Sequence, residues 1–272
     1  MAGSRPLAST LARAVAAGAP TTHDARGGVP SDALPPAASV AHHGVAGLVA
    51  RRARAHGLTG VPADVAAGFV FADVAWSVAV PTTAAVLLHR RAPLAGHDDV
   101  LMVHGDDGRP AGTWFPGPVA VLSDDPAADA DDTTVVADLG ALADVAADVL
   151  LDVMAPVVDL VRPHGRRSER TLWSEVGDTV THAAVTAAND GAVAAAEAVA
   201  FADAVAARLA GNGCRPPSWR TLETAVGDRH WRVRGSCCLW YRTGAETCST
   251  CPLTDEGVAA GRLRAWFERG GR

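Results

Sequence analysis

The chain runs to 272 residues, 49% hydrophobic and 20% charged with a formal net charge of −6, enough for one large domain or two small ones. Much of the hydrophobic content is alanine, which makes helices the most accessible architecture. Five cysteines over this length exclude a disulfide-dense scaffold, and the later apolar stretches carry regular Asp or Arg, unlike a membrane-spanning helix.

Residues 1–40 hold little periodic pattern. Gly27-Gly28, Pro30 and Pro35-Pro36 punctuate them, so we expect a short helix at most and then a flexible leader. The alanine-rich stretch Leu7–Pro20 is short and interrupted by Arg13, so it does not read as an export signal. The adjacent His42 and His43 have no Cys, Asp or Glu at ligand spacing and read as surface residues. Arg51, Arg52 and Arg54, with His56, read as a solvated face, too short and too poor in aromatics to bind nucleic acid.

After Pro62 an apolar helical run over residues 62–79 carries Phe69 and Trp76 seven apart, on one face, where core packing is the simplest reading. Pro81 interrupts it, and Thr82–Arg91 fits a second helix or a buried strand equally well. Val100–His104 and Gly112–Phe115 flank the turn Gly105-Asp106-Asp107-Gly108 and predict a β-hairpin; Val119–Leu122 predicts another strand. The acidic run from Asp129 to Asp132 lacks the spacing of a cation site and reads as a solvated loop.

The clearest helix spans Leu139–Leu160, with Pro156 expected to kink or end it. Asp144, Asp148, Asp152 and Asp159 form its solvent face, opposite Leu142, Val145, Val149, Val153, Val157 and Leu160. Ser168 caps a helix through about Asn189 with Trp173, Val176 and Val180 inward, and Ala192–Leu209 is the last long helix. Beyond Pro216-Pro217, Thr221–Ala225 fits a helical turn, Trp231–Arg234 alternates like a short strand, and Gly257–Phe267 forms a terminal helix expected to pack over the residues before it.

Those residues hold the chemistry. Four of the five cysteines fall within fifteen residues, as Cys237-Cys238-x9-Cys248-x2-Cys251; Cys214 reads as a plain thiol near a helix end. Clustered thiolates suit soft metals. The Cys248-x-x-Cys251 half is an ordinary chelating turn, but neighbouring side chains such as those of Cys237 and Cys238 diverge, which strains a one-metal site. A two-iron cluster spreads its ligand positions over two irons, so the spacing favours [2Fe–2S] over mononuclear zinc, whose ligand pairs are usually two to four residues apart. Trp231, Trp240, Tyr241 and Trp266 surround the cysteines in sequence, where shielding a cluster and plain packing explain them equally well.

No Gly-x-Gly-x-x-Gly follows a strand, no Walker-type loop is present and no Ser-His-Asp or Cys-His order stands out. A cluster without a built-in hydride cofactor transfers one electron at a time and needs an external donor. Two other classes stay open: a ferredoxin-like electron carrier, and a zinc-stabilised binding module.

The run Ser236-Cys237-Cys238-Leu239-x-Tyr241-Arg242, followed by Cys248-x-x-Cys251-Pro252, resembles the C-terminal signature of the FhuF-like ferric siderophore reductases. The resemblance implies that Cys237, Cys238, Cys248 and Cys251 hold a [2Fe–2S] cluster and that the substrate is a siderophore-bound ferric ion. It implies as donor a ferredoxin, a flavodoxin or a flavin reductase. Residues 211–272 carry ten Arg against six Asp and Glu, a net +4, while residues 1–210 sum to −10, which fits an anionic partner at the cysteine end or a merely solvated subdomain. Arg232, Arg234 and Arg242 flank the ligands and are the candidates for holding an anionic chelate.

The expected architecture is α+β and mostly helical, a helical body with a small antiparallel β-sheet and a C-terminal cysteine-ligated cluster module. Its expected divisions are a leader and variable segment over 1–60, an α+β body facing the siderophore over 61–210, and the cluster module over 211–272. No transmembrane segment, no nucleic-acid partner and a reducing cytoplasmic location complete the reading.

Overall fold

The computed structural model describes residues 6–16, 22–24, 28–56, 60–165 and 167–271. Residues 17–21 and 25–27 of the expected leader, and the side chains of Arg13 and His56, lie outside the described residues. The fold is α+β and mostly helical. Its helices are α1 (Pro6–Ala16), α2 (Pro36–His43), α3 (Val45–His56), α4 (Ala63–His89), α5 (Leu139–Gly165), α6 (Glu169–Asn189), α7 (Ala195–Leu209) and α8 (Glu256–Glu268).

The strands are short: β1 (Thr22–Asp24), β2 (Arg91–Pro93), β3 (Leu101–His104), β4 (Pro110–Phe115), β5 (Val119–Leu122), β6 (Thr133–Val136), β7 (Ser218–Leu222) and β8 (Arg229–Val233). They make three small sheets among the described residues, ordered β1-β4-β3, β2-β5-β6 and β7-β8. The expected hairpin is β3–β4, antiparallel with Leu101 opposite Trp114. Two pairings are parallel, β1 with β4 and β5 with β6, so the small sheets are mixed rather than antiparallel throughout.

The body is built on α4. Phe71, Val74, Val78 and Val86 are fully buried in the main core, against Leu142, Leu150 and Val157 of α5 and Trp173, Val176 and Val180 of α6. Among the described residues α4 is the helix long and apolar enough to cross a bilayer; here it is the buried centre of the protein. Pro81 was expected to divide it and does not. The ring removes one backbone donor, a local cost of about 3 kcal/mol, but burial on all sides outweighs that along a helix already nucleated at both ends. α5 likewise runs through Pro156 and Pro163.

The first sixty residues contribute more than a leader. Leu7 and Leu11 of α1, Val40 of α2 and Leu48 of α3 are buried in the same core as α4. Arg52 is not simply solvated: its guanidinium pairs with Asp73 of α4 at 3.1 Å and lies 5.6 Å over the Phe69 ring.

Beyond α7, β7 and β8 pair antiparallel, so Thr221 and Leu222 end a strand where a helical turn was expected. The hairpin and α8 share a second, separate core of Leu222, Trp231, Ala259, Leu263 and Phe267. Asp255 caps α8 by accepting from the Val258 amide at 3.1 Å. Five core side chains give the hairpin and α8 little stability of their own, so the position of the cysteine loop between them depends on how it is tied to the body.

Candidate metal centre

The cysteine loop hangs between β8 and α8. The Arg234 amide donates to the Thr250 carbonyl at 2.8 Å and joins its two halves, and the Cys251 amide donates to the Cys248 carbonyl at 3.0 Å to close the Cys-x-x-Cys turn. Leu239 has φ 62 and ψ 16, left-handed values that a leucine adopts at a cost of roughly 1 kcal/mol. That conformation turns the chain back after Cys238 and lets the Leu239 amide donate to the Cys237 sulfur at 3.3 Å.

The thiols meet two by two. Cys251 Sγ lies 3.4 Å from Cys237 Sγ, and Cys238 hydrogen-bonds Cys248. All four thiols are free. A separation of 3.4 Å is far beyond a disulfide of about 2.05 Å and near the roughly 3.7 Å edge of a tetrahedron with 2.3 Å metal–sulfur bonds. The divergence of adjacent cysteines is thus used: each member of the Cys237-Cys238 pair meets a different member of the Cys248-x-x-Cys251 turn. Among the described residues no three His, Cys, Asp or Glu side chains are grouped around one metal ion. The donor set, four sulfurs in two pairs, fits a two-iron cluster.

Polar neighbours favour thiolate on one member of the second pair. The Cys238 thiol, then the Thr250 hydroxyl and the Arg234 charge, pull Cys248 down to about 6, while Cys238, donating to Cys248 and partly buried, is held above its ordinary value. Cys214 stands apart from these four. It is buried against Gly177 of α6, where its sulfur would lie 2.8 Å from a Cβ on that glycine, and burial pushes its thiol up to about 12.

Helix α6 holds the loop to the body. Ser168 caps it as expected, accepting from the Thr171 amide at 3.2 Å, and Glu175 and Asp178 follow on one face, one turn apart. The fully buried Asp178 accepts from the Gly235 amide at 2.7 Å, the Ser236 amide at 3.4 Å and Arg234 Nε at 3.2 Å; the second arm of Arg234 pairs with Glu175. Burial pushes the Asp178 carboxyl up, against Arg234, Arg232 and the Gly235 amide. Burial also works against the Arg234 charge, yet Glu175 and Asp178 together hold that guanidinium above its ordinary value. With three amide and guanidinium donors on one carboxyl, the ion pair is the form this geometry holds. Gly235 is required by close approach: a Cβ there would sit 2.0 Å from the Arg215 carbonyl oxygen.

Helix α4 supplies the opposite wall. Neither aromatic expected in the core lies there: Phe69 packs edge-on against Trp240 of the C-terminal module at 5.5 Å, and Trp76, 39% exposed, lies 5.0 Å from His182 of α6. Of the four aromatics near the cysteines in sequence, Trp231 is buried in the second core, whereas Tyr241 and Trp266 are largely exposed.

The three arginines proposed from sequence all have protein partners. Arg234 is committed as above. Arg232 donates to Nδ1 of His182 at 2.7 Å, and burial lowers its guanidinium to about 10. Arg242 pairs with Asp64 of α4. Arg167, which the sequence did not single out, donates to the Cys238 carbonyl at 2.7 Å. Two hollows flank the loop. One, of about 580 Å³, lies between Arg167, Arg170, Arg215 and Cys237; the other, of about 380 Å³, lies between His182, Trp231, Thr250 and Trp266.

A helical body carrying a short loop of paired thiols defines an iron–sulfur type of protein. Comparison with known families agrees: residues 70–222 match the family described as ferric iron reductase FhuF-like transporter, and residues 234–253 match the FhuF 2Fe-2S C-terminal domain. No curated protein matches the chain. The first match alone spans more than half of the sequence, and the chain belongs to the FhuF-like ferric iron reductase family. Its cofactor is a [2Fe–2S] cluster, which displaces the zinc alternative, and its general activity is reduction of siderophore iron.

Proposed function

We propose that the chain is a cytosolic ferric siderophore reductase in which Cys237, Cys238, Cys248 and Cys251 hold the [2Fe–2S] cluster. The observation carrying this reading is the meeting of those four thiols, two by two, within the segment that matches the 2Fe-2S domain. Bound there, the cluster supplies electrons singly. The substrate Fe(III) gains one electron and becomes Fe(II), whose lower charge weakens its hold on hard oxygen ligands; no atom or proton need move with it. The electron comes from a reduced ferredoxin, flavodoxin or flavin reductase, which is oxidised by one electron per turnover.

The protein's own residues position and shield the site. Glu175 and Asp178 fix Arg234 and Gly235, Trp240 and Phe69 exclude water on the α4 side, and Arg167 fixes the Cys238 backbone. For Arg232, Arg234 and Arg242, which their sequence positions suggest as substrate ligands, internal partners support a role in holding the loop. In this reading residues 61–210 face the siderophore, 211–272 carry the cluster, and 1–60 brace the body.

Anaerobic purification, iron and sulfide analysis and turnover on a panel of ferric siderophores test the proposal. It expects a coloured protein with one two-iron cluster per chain, bleached by dithionite, that prefers ferric chelates over a generic acceptor. A colourless preparation without iron sinks it. Equal reduction of every acceptor would make the chain a ferredoxin-like carrier instead.

A further inference from the structure

We propose that the groove of about 580 Å³ beside Cys237 is the docking site of the ferric chelate, and that it selects chelates of net negative charge. This rests on the reading of the chain as a siderophore reductase and names the site and the charge of its substrate. The inner wall is the cysteine loop itself, Gly235 to Cys237, and Cys237 is only partly buried, so a molecule in the groove touches the edge of the centre. The opposite wall is the first turn of α6 with Arg167, Arg170 and Arg215 around it.

Three arginines line this groove and no carboxylate does. Free charge distinguishes it from the second hollow, which also holds three arginines and no carboxylate but has Arg232 donating to His182 and Arg262 paired with Glu246. Arg170 and Arg215 are exposed, and among the described residues neither guanidinium has a bonded or ion-paired partner. Elsewhere around the loop the arginines are already matched, Arg234 by Glu175 and Asp178, Arg242 by Asp64, Arg262 by Glu246. Unmatched guanidinium forks suit carboxylate and catecholate oxygens, and unpaired cations at a concave wall attract an anion more strongly than they would on a flat surface. The outer rim is apolar: Leu239, Pro252 and the 61% exposed Leu253, which suits the hydrocarbon frame of a chelator. An acidic donor protein would also be drawn to arginines, but a concave hollow of this size beside one sulfur fits a small molecule better.

Gallium(III) chelates test this, because they copy the charge and shape of ferric ones and cannot be reduced. Binding of a trianionic gallium tris-catecholate and of a neutral gallium trihydroxamate is measured by calorimetry on the cluster-loaded protein. The wild type is expected to hold the trianion at least about tenfold more tightly, with the advantage shrinking as salt is raised. Arg170→Glu with Arg215→Glu should weaken the trianion by roughly 30-fold or more and the neutral chelate by less than about threefold. Both positions are exposed, and unchanged iron, sulfide and visible absorption verify that the centre is intact; Arg170→Gln with Arg215→Gln should give a smaller loss of the same sign.

No binding of either chelate by the wild type, or equal affinities in wild type and variants, would overturn the groove as the docking site. Unchanged gallium binding with a raised Michaelis constant for a reduced ferredoxin would also overturn it and give the groove to the donor. A wild type that binds the trianionic gallium chelate through these arginines yet reduces no ferric siderophore would instead overturn the reductase reading and leave the anion site standing.

Discussion

The guanidinium of Arg167 donates to the main-chain carbonyl of Cys238 at 2.7 Å and rests against Gly68 of α4, where an added Cβ would come within 2.6 Å of it. Arg167 is only 7% exposed, its Nε has no hydrogen-bond partner, and burial lowers its pKa. A cation is therefore held in a dry position beside the thiols. Reducing the cluster adds a negative charge there, and a fixed positive neighbour stabilises the reduced form. At an effective dielectric near 20 a charge about 8 Å away contributes about 2 kcal/mol, or on the order of 90 mV for one electron. Arg167→Gln should lower the midpoint potential by that amount in a spectroelectrochemical titration, and Arg167→Lys should restore most of it. A potential unmoved by the glutamine variant would reduce Arg167 to a backbone prop.

Gly68 and Gly235 both sit at close approaches, yet their alanine variants should behave differently. At Gly68 the atoms met are the end of a flexible side chain, which can swing away at little cost. Gly68→Ala should leave the melting temperature within a few degrees while lowering the potential as Arg167→Gln does. At Gly235 the atom met is the Arg215 carbonyl oxygen, 2.0 Å off and fixed in the backbone. Gly235→Ala must move the strand leading into Cys237, at a cost of about 1–3 kcal/mol. Iron content per chain separates the two: near wild type for the first, mostly lost for the second. Full iron loading of Gly235→Ala would show that the loop can yield.

Asp178 carries the junction between α6 and the loop. Its carboxylate takes the Gly235 amide on one oxygen, and Arg234 and the Ser236 amide on the other, in a site with no solvent exposure. Asn in its place would turn a donor amide toward groups that are themselves donors. Asp178→Asn should cost about 3 kcal/mol in urea unfolding and loosen the loop. Glu175→Gln, on a side chain nearer the surface that pairs with Arg234, should cost less. Equal losses would place the anchoring in the Arg234 charge rather than in the carboxylate's contacts.

The parts of this protein written in local sequence were the parts most legible in it. Ser168 and the apolar spacing of Trp173, Val176 and Val180 gave α6 both its start and its inward face, and Gly105–Gly108 marked the β3–β4 turn. Helix α4 was harder because proline propensity is local while the burial that overrides it is not. Phe69 and Trp76 do share a face, but period alone cannot say whether that face turns into the core or out toward Trp240 and His182. The cysteine spacing points to two irons through the divergence of Cys237 and Cys238, which meet Cys251 and Cys248 respectively. Nearness in sequence singles out Arg232, Arg234 and Arg242, and nearness does not report partners. The Glu175-x-x-Asp178 pair on a helix was the available signal that Arg234 would be taken, whereas Arg167, Arg170 and Arg215 come to the loop only through the packing of α6 against it.

His182 should make stability sensitive to acid. Burial, then the charges of Arg232 and Arg234, lower its pKa from 6.5 to about 3, and its Nδ1 must stay unprotonated to accept from Arg232. Below pH 6.5 the unfolded chain takes a proton on this ring that the folded chain refuses. Its share of stability is therefore whole above pH 6.5 and is lost as pH falls toward 3, by about 2 kcal/mol between pH 7 and pH 5. The buried His104, lowered to about 4 mainly by burial, adds a loss of the same sign. Asn at 182 keeps an acceptor near the position of Nδ1 without a titrating group. His182→Asn should flatten the fall in urea midpoint between those two pH values by about half of the histidine contribution, with His104→Asn removing much of the rest. An unchanged slope in the first variant would mean that His182 takes up its proton in the folded chain, which requires Arg232 to have turned away from it.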